Sequence, residues 1–410
     1  RSDFSLEYLM NKKNCTGCSA CASTCPKQCI AMVTDSEGFW YPKIDQLKCI
    51  DCSYCQKICP VLNQVVSHSV PHAFAAFCKD ETIRKCSSSG GVFSILAKRV
   101  IDNGGIVFGA CFDKHFSVEH DFAETKEKLD LFRGSKYVQS KINNAYLQAK
   151  TFLEHGRLVY FSGTPCQIGG LKAFLRKDYN NLICQDLICH GVPSPKAWKE
   201  YIAFREHVAG TSVKSVNFRD KRDGWQKYSV SIRFQNGQEY HEPLDNDSYL
   251  KVFLNNIDLR PSCYHCPFKG LSRESDITLA DFWGIEKIFP KLCDNKGVSL
   301  LLVHTEKGRS LLKETANSLF LKPFDCSIVS VLNPSVCQSA PLNKNRNNFF
   351  KYLRKKDFDD LAKQYASKSK KFNVLVFLKF ILRLLGLYRP AKKCYHLFFY
   401  YFHKKFSKLN

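Results

Sequence analysis

CTGCSACASTCP at residues 15–26 and CIDCSYCQKICP at residues 49–60 are one pattern written twice. Each reads C-x-x-C-x-x-C-x-x-x-C-P, the bacterial run that holds cubane iron–sulfur clusters. Two-residue gaps let three thiolates converge on three corners of one cluster. The proline after the fourth cysteine fixes a backbone angle and turns the chain away. In two-cluster ferredoxins that fourth cysteine serves the other cluster. The expected ligand sets are therefore Cys15, Cys18, Cys21 and Cys59 for one 4Fe–4S cluster, and Cys49, Cys52, Cys55 and Cys25 for a second. Disulfides suit small secreted domains, and nothing in the chain indicates secretion. Zinc sites use paired C-x-x-C units rather than a triple run closed by Cys-Pro. Cys29 lies outside the pattern and reads as a buried bystander.

Around this module, 410 residues leave room for two or three domains and a substantial core. A hydrophobic content of 44% is ordinary for a globular protein. Twenty-one cysteines fit a reducing compartment only if many bind metal. Arg1 to Met10 lack the apolar stretch of a signal peptide, so the expected location is cytoplasmic. The net charge of +23 is uneven: from Lys344 onward, eighteen Lys and Arg face three acids. A basic block of that kind seeks a polyanionic surface. No nucleic-acid-binding motif accompanies it, and nucleic acid is not an expected partner.

The chain reads as a ferredoxin-like module at 1–66, a linker from Val65 to His72, a body in two parts at 73–150 and 151–340, and a basic aromatic tail at 341–410. In the body, apolar runs at Ala73–Phe77, Gly105–Phe112, Leu158–Phe161, Leu182–Leu187, Ile277–Phe282 and Ser299–Val303 read as strands. Val92–Asn103, Gln167–Lys177, Lys196–Glu206 and Glu306–Ser318 carry helical periodicity, the first stopped by Gly104-Gly105. Lys214–Phe218 and Tyr228–Phe234 alternate apolar and polar residues, as in an antiparallel hairpin or sheet edge. The expected class is α+β: a two-cluster module, a mixed-sheet α/β body and a helical tail.

Several loops of the body carry chemistry. Ser87-Ser88-Ser89-Gly90-Gly91 precedes a helix, where close backbone approach and free N–H groups suit a phosphate. An ordinary N-cap on a flexible loop is the alternative. Gly163-Thr164-Pro165-Cys166, Cys189-His190-Gly191 and Cys263-x-x-Cys266-Pro267 place cysteines at element ends. Together they supply four thiolates, the number a third cubane needs. The C-x-x-C pair alone reads equally as zinc or a redox dithiol.

CSSSGGVFSILAKRVIDNGG (86–105), FRGSKYVQS (132–140), FSGTPCQIGGLKAFL (161–175), LICHGVPS (187–194), RPSCYHCPFKG (260–270) and SDITLADFWGIEK (275–287) follow in this order. They resemble the coenzyme F-420 hydrogenase/dehydrogenase beta-subunit family, over about Cys15 to His304. The resemblance implies an FAD-binding body with cubane clusters, acting as a ferredoxin- or deazaflavin-linked reductase or electron relay. Some members of that family accompany polysaccharide-biosynthesis genes. It implies that Ser87, Ser88, Ser89, Gly90 and Gly91 lie on the flavin side, with Ser135, Lys136 and Tyr137 of the G-S-K-Y segment. It implies a body cluster held by Cys166, Cys189, Cys263 and Cys266. Lys136 beside a flavin would favour its anionic reduced form; the alternative is a solvated surface lysine. His190 can donate a proton near a reduced flavin or hydrogen-bond a cluster sulfur. Asp276 and Asp281 accept substrate protons or hold an arginine such as Arg260 or Arg273, and the second reading is preferred.

In the tail, Phe372 to Tyr388 is apolar apart from Asn373, Lys379 and Arg383. Two charges make a poor membrane span and fit better an amphipathic helix in the interface, peripheral on the inner face of the plasma membrane. Docking on the body or on a partner is the alternative. The leading expectation is an oxidoreductase passing electrons from ferredoxin or another donor through clusters to FAD and an organic acceptor, or the reverse. A non-catalytic relay subunit and a membrane-associated scaffold are the competing classes.

Overall fold

The structure is a computed structural model that describes residues 11–64 and 70–366. One compact unit runs to Tyr365; the expected tail helix at 372–388 lies outside the described residues.

The two cysteine runs fold alike. Helix α1 (Ala20–Thr24) follows Ser19, and helix α2 (Tyr54–Lys57) follows Ser53. Ser19 and Ser53 have φ of 66° and 56°, and Gly17 and Asp51, two residues earlier in each copy, have φ of 71° and 49°. Left-handed backbone is uncommon for Asp and Ser. Its recurrence at equivalent places curls each run around its own cavity. Between the runs, strands β1 (Ile30–Thr34) and β2 (Trp40–Ile44) form an antiparallel hairpin.

The body is built on strands β3 (His72–Cys78), β4 (Ile106–Phe112), β5 (Val118–Ala123), β6 (Val159–Ser162), β7 (Leu182–Leu187), β8 (Val213–Asp220), β9 (Ser229–Phe234), β10 (Glu239–Pro243), β11 (Ile277–Asp281), β12 (Ser299–Val303) and β13 (Leu319–Phe324). Eight make one sheet in the order β13-β3-β12-β11-β7-β6-β4-β5. Its centre, β4, β6, β7 and β11, is parallel, and both flanks are antiparallel. The mixed sheet is that of an α+β protein. Strands β8, β9 and β10 form a separate antiparallel sheet, so the alternating runs near 214–234 pair with each other and not with the main sheet.

Residues of β4 alternate between the two faces. Val107 joins helix α3 (Val92–Asp102) on one face, and Ile106 and Phe108 join helices α4 (Ala145–Glu154) and α5 (Pro165–Leu175) on the other. Helix α5 opens at Thr164 with a capping box to Gln167 and with Pro165 at its first turn. That geometry places Cys166 at the carboxyl end of β6. Helix α6 (Pro195–Ala209) is capped by Ser194.

The module is part of the same unit. The β1–β2 turn seats against α6, with Lys196 Nζ donating to Ser36 O at 2.7 Å and the Ser194 hydroxyl to Glu37 O. Arg346 grips the Glu37 carboxylate with both terminal nitrogens, at 2.7 and 2.5 Å. Arg346 belongs to helix α7 (Arg346–Tyr352), which with α8 (Phe358–Tyr365) occupies the stretch that composition assigns to the start of the tail. Phe358 and Leu361 are buried, and Asp359 pairs with Arg205, so 341–365 packs with the body.

Candidate metal centres

Among the described residues, three cavities are lined by four or more thiols. Cys15, Cys18, Cys21 and Cys59 line the first, site I, with Met32 and Pro42. Cys49, Cys52, Cys55 and Cys25 line site II, joined by Cys29. Cys166, Cys189, Cys263 and Cys266 line site III, with His190 and Lys269. Sites I and II each draw their fourth thiol from the other run, because Pro26 and Pro60 turn the chain across. Cys29 is buried and its Sγ stands 3.3 Å from Cys25 Sγ, so it belongs to the wall of site II.

Site III is assembled from distant segments by the sheet. Cys166 follows β6 and Cys189 follows β7, two adjacent parallel strands, in the crevice beyond their carboxyl ends. A bridge between Pro193 and Leu259, and the Arg260 N–H donating to Val192 O at 2.9 Å, bring in the turn that carries Cys263 and Cys266. The Val192 N–H donates to Cys263 Sγ at 3.4 Å, and Thr164 Oγ1 contacts Cys166 Sγ at 3.2 Å.

The donor sets fit iron–sulfur clusters. Burial pushes the Cys18, Cys21, Cys55 and Cys59 thiols up. In site III, burial and then neighbouring thiolates push Cys166, Cys189 and Cys263 up to about 12. Such thiols ionise only when a cation takes the proton's place. Among the described residues no three His, Cys, Asp or Glu are disposed to grip a single metal ion. Thiols around a cavity suit the larger cubane, whose four irons each take one.

The sites are neighbours. Tyr54 lines site II and packs against the apolar cluster of Cys18, Cys21 and Ile58 beside site I. Thr16 lines both site I and site III. Helix α5 lies so close to the module that a Cβ on Gly170 would meet Cys18 Cβ at 2.9 Å.

The residues expected at a flavin also meet one another. Ser88 Oγ accepts from the Ser135 N–H at 2.7 Å and contacts Ser135 Oγ at 2.9 Å. Arg219 donates to Ser88 O and to Tyr137 Oη, at 3.2 and 3.1 Å. Arg219 is buried, paired with Asp281 at 2.8 Å, and its Nε has no partner among the described residues. Lys221 Nζ donates to Ser89 O at 2.9 Å. The buried Arg219 Nε–H is the donor a phosphate-bearing cofactor would find here. The loop is nevertheless knitted internally: Ser87 Oγ donates to Ile83 O, Ser89 Oγ to Val298 O, and the Gly90 N–H to Ser299 Oγ. Gly90 is glycine because a Cβ would sit 2.5 Å from Ala76 O. Gly91, at φ 84°, caps α3.

Lys136 Nζ donates to the carbonyls of Leu131 and Arg133, at 2.7 and 3.2 Å, and burial lowers its ammonium to about 7. It is not a freely solvated lysine. His190 Nε2 lies 2.5 Å from Asn256 Oδ1, and burial lowers its pKa. With Nε2–H donating there, Nδ1 is left as an acceptor. The carboxylates have other partners than Arg260 and Arg273. Asp281 holds Arg219 and the Trp225 indole N–H; Asp276 accepts from the Cys184 N–H and Thr305. Arg273 pairs with Asp186, and Arg260 joins the module. Arg219 and Lys221 escaped notice in the sequence because their partners lie tens of residues away. The one local signal for Arg260 is its place before Pro261 in the C-x-x-C segment.

Residues 73–146 and 156–325 match the N-terminal and C-terminal models of the coenzyme F-420 hydrogenase/dehydrogenase beta subunit, more than half of the chain. The chain belongs to that family. Residues 14–63 match a 4Fe–4S dicluster domain, so this beta-subunit homologue carries a ferredoxin-type iron–sulfur module and has a redox function. A subunit of the F(420)H(2) dehydrogenase of Methanosarcina mazei is 24% identical over 273 residues, covering 62% of this chain and 71% of the relative. A subunit of an NADH-quinone oxidoreductase of Geobacter metallireducens is 38% identical over 61 residues, 14% of this chain and 47% of that one. A chain of the F-420-reducing NiFe hydrogenase complex from Methanosarcina barkeri aligns at a TM-score of 0.44 and 17% identity, over 73% of this chain and 94% of that one. No helix among the described residues is long and apolar enough to cross a membrane.

Proposed function

We propose that this chain is an iron–sulfur flavoprotein oxidoreductase with three cubane clusters and one FAD, linking a one-electron donor such as ferredoxin to an organic acceptor. The observation that carries the reading is the series of three thiol-lined cavities, with Tyr54 between II and I and Thr16 between I and III. When bound, clusters move single electrons and a flavin couples two of them to hydride chemistry.

The chain's own residues divide the work. Site II is the outer one, since Cys52 is exposed, and it faces a donor. The packing of α5 on Cys18 and Pro60 shields site I from water on the body side. Ser88, Ser135 and Tyr137 would orient a flavin, with Arg219 Nε–H as a donor to it and the Arg219–Asp281 pair holding the segment in place. With a pKa lowered to about 7 by burial, Lys136 Nζ can hold or release a proton near neutral pH. His190 Nδ1 is a second acceptor, beside site III.

The test is anaerobic purification followed by flavin analysis and turnover of the isolated chain with reduced ferredoxin or dithionite and a deazaflavin or quinone acceptor. Stoichiometric FAD and steady turnover support the reading. Absence of flavin after reconstitution would overturn it. A second reading, a relay subunit without its own catalysis, is favoured by the relative from Methanosarcina mazei, which is named as one subunit of a dehydrogenase. Flavin reduction without turnover would select it.

A further inference from the structure

We infer that Arg260 is a shared counter-ion for sites I and III, a positioning residue that joins the two centres and raises both of their reduction potentials. The inference rests on the reading of these sites as cluster sites.

Arg260 is fully buried. Its Nε donates to Cys15 O at 2.9 Å, its Nη2 to Trp40 O at 2.9 Å, and its Nη1 to Gln139 Oε1 at 3.1 Å. The guanidinium lies 4.1 Å from the centre of the Tyr41 ring. Among the described residues these partners are carbonyls, an amide and a ring, and none is a carboxylate. Dipoles satisfy its hydrogen bonds but do not balance its charge. A buried charge without a counter-charge is costly.

The anions within reach are thiolates. Arg260 Nη2 stands 3.8 Å from Cys15 Sγ of site I. Arg260 lies three residues before Cys263 of site III, its carbonyl accepts from the Cys263 N–H at 2.9 Å, and Thr16, next to the Cys15 carbonyl that Arg260 holds, lines that site. Gly17 is fitted to it: a Cβ there would stand 2.8 Å from Arg260 Nη1. The module therefore closes around the guanidinium. Lys269 repeats the arrangement at the other edge of site III, with Nζ donating to the carbonyls of Cys189 and Ser335. Arg260 stands behind the cavity walls and reaches site I through Cys15 Sγ, whereas site III is also lined by Lys269 and Arg273 and site II by Lys27 alone, which is exposed.

A reduced cluster carries one more negative charge than an oxidised one, so a fixed buried cation favours reduction. The test is a redox titration of the reconstituted full chain, followed by electron paramagnetic resonance, in wild type, Arg260→Met and Arg260→Lys. Signals are assigned by subtraction with Cys166→Ala and Cys59→Ala. Arg260→Met should shift the reduction equilibria of sites I and III at least tenfold toward oxidised, about 59 mV for a one-electron couple, and leave site II in place. Arg260→Lys, which keeps the charge and loses the fork, should restore most of that shift. Unmoved potentials at I and III in an iron-replete Arg260→Met would overturn the inference, as would equal shifts at all three sites. If Arg260→Met fails to fold, a tenfold shift in Arg260→Lys would overturn it, and near-wild-type potentials with a lowered melting temperature would support it. A wild-type protein that binds no iron would instead refute the cluster reading itself.

Discussion

Replacing Gly170 by alanine should weaken the protein, although the same change in an exposed helix strengthens one. In a helix interior the exchange ordinarily gains about 1 kcal/mol. In α5 the added Cβ would stand 2.8 Å from Tyr146 Oη, 2.9 Å from Cys18 Cβ and 3.2 Å from Cys18 Sγ. Neither neighbour can retreat. Tyr146 is fully buried with its hydroxyl donating to Gln167 O at 2.8 Å, and Cys18 sits between the left-handed Gly17 and Ser19. Overpacking of this kind costs about 1–3 kcal/mol. Against the propensity gain, a net loss of up to about 2 kcal/mol remains, with Cys18 as the displaced side chain. Gly169→Ala is the control, since its Cβ would meet the ends of Phe268 and Glu274, at 3.0 and 3.2 Å, which can shift. Urea midpoints under anaerobic conditions should fall for Gly170→Ala relative to Gly169→Ala. The resonance signal of site I alone should broaden or vanish. A Gly170→Ala protein as stable as its control, with the site I signal intact, would refute close packing of α5 on the module.

Cys25→Ala should retain about four iron at site II, because Cys29 Sγ, 3.3 Å from Cys25 Sγ, can serve the vacated corner; the double variant Cys25→Ala/Cys29→Ala should lose them. Iron loss in the single variant would return Cys29 to a bystander. His120, which donates from Nε2 to Ser162 O and accepts at Nδ1 from Ser140 Oγ, has its pKa lowered by burial from 6.5 to about 4. Its contribution is therefore complete above the unfolded pKa and is lost as pH falls, since the unfolded chain takes up the proton first. Between about pH 7.5 and pH 5 this is about 2 kcal/mol, read as a steeper pH dependence of urea midpoints in wild type than in His120→Gln. Parallel curves would show that His120 does not couple to folding. Deleting residues 366–410 should abolish salt-sensitive co-sedimentation with anionic vesicles while leaving iron content unchanged; equal pelleting of the shortened chain would assign that segment another role.

Legibility followed the range of each interaction. The thiols that line the two ferredoxin-type cavities come from two runs of twelve residues, and the crossing of Cys25 and Cys59 between the cavities goes with the prolines that follow them. The body's central strands were legible because parallel strands covered on both faces are apolar throughout. Edge strands were not: β13 carries Lys322 and Pro323, which suit an edge and hide the pattern. Charge composition drew the tail boundary at 341, yet Arg346 and Asp359 are spent on Glu37 and Arg205 within the compact unit. Pairings such as Arg219 with Asp281 span 62 residues and are set by the sheet, which no local pattern announces. Gly90 looked like a ligand-approach glycine, and its neighbours Ala76 and Ser299 supply a packing reason that only the strand register reveals.

Anaerobic iron and acid-labile sulfide analysis of the reconstituted chain, beside its Cys166→Ala variant, tests the series of three centres most directly. Three cubanes predict about twelve iron and twelve sulfide per wild-type chain and about eight of each in the variant, with the signals of sites I and II unchanged. About eight iron in both proteins would contradict the account, because Cys166, Cys189, Cys263 and Cys266 would then surround a cavity that holds no cluster.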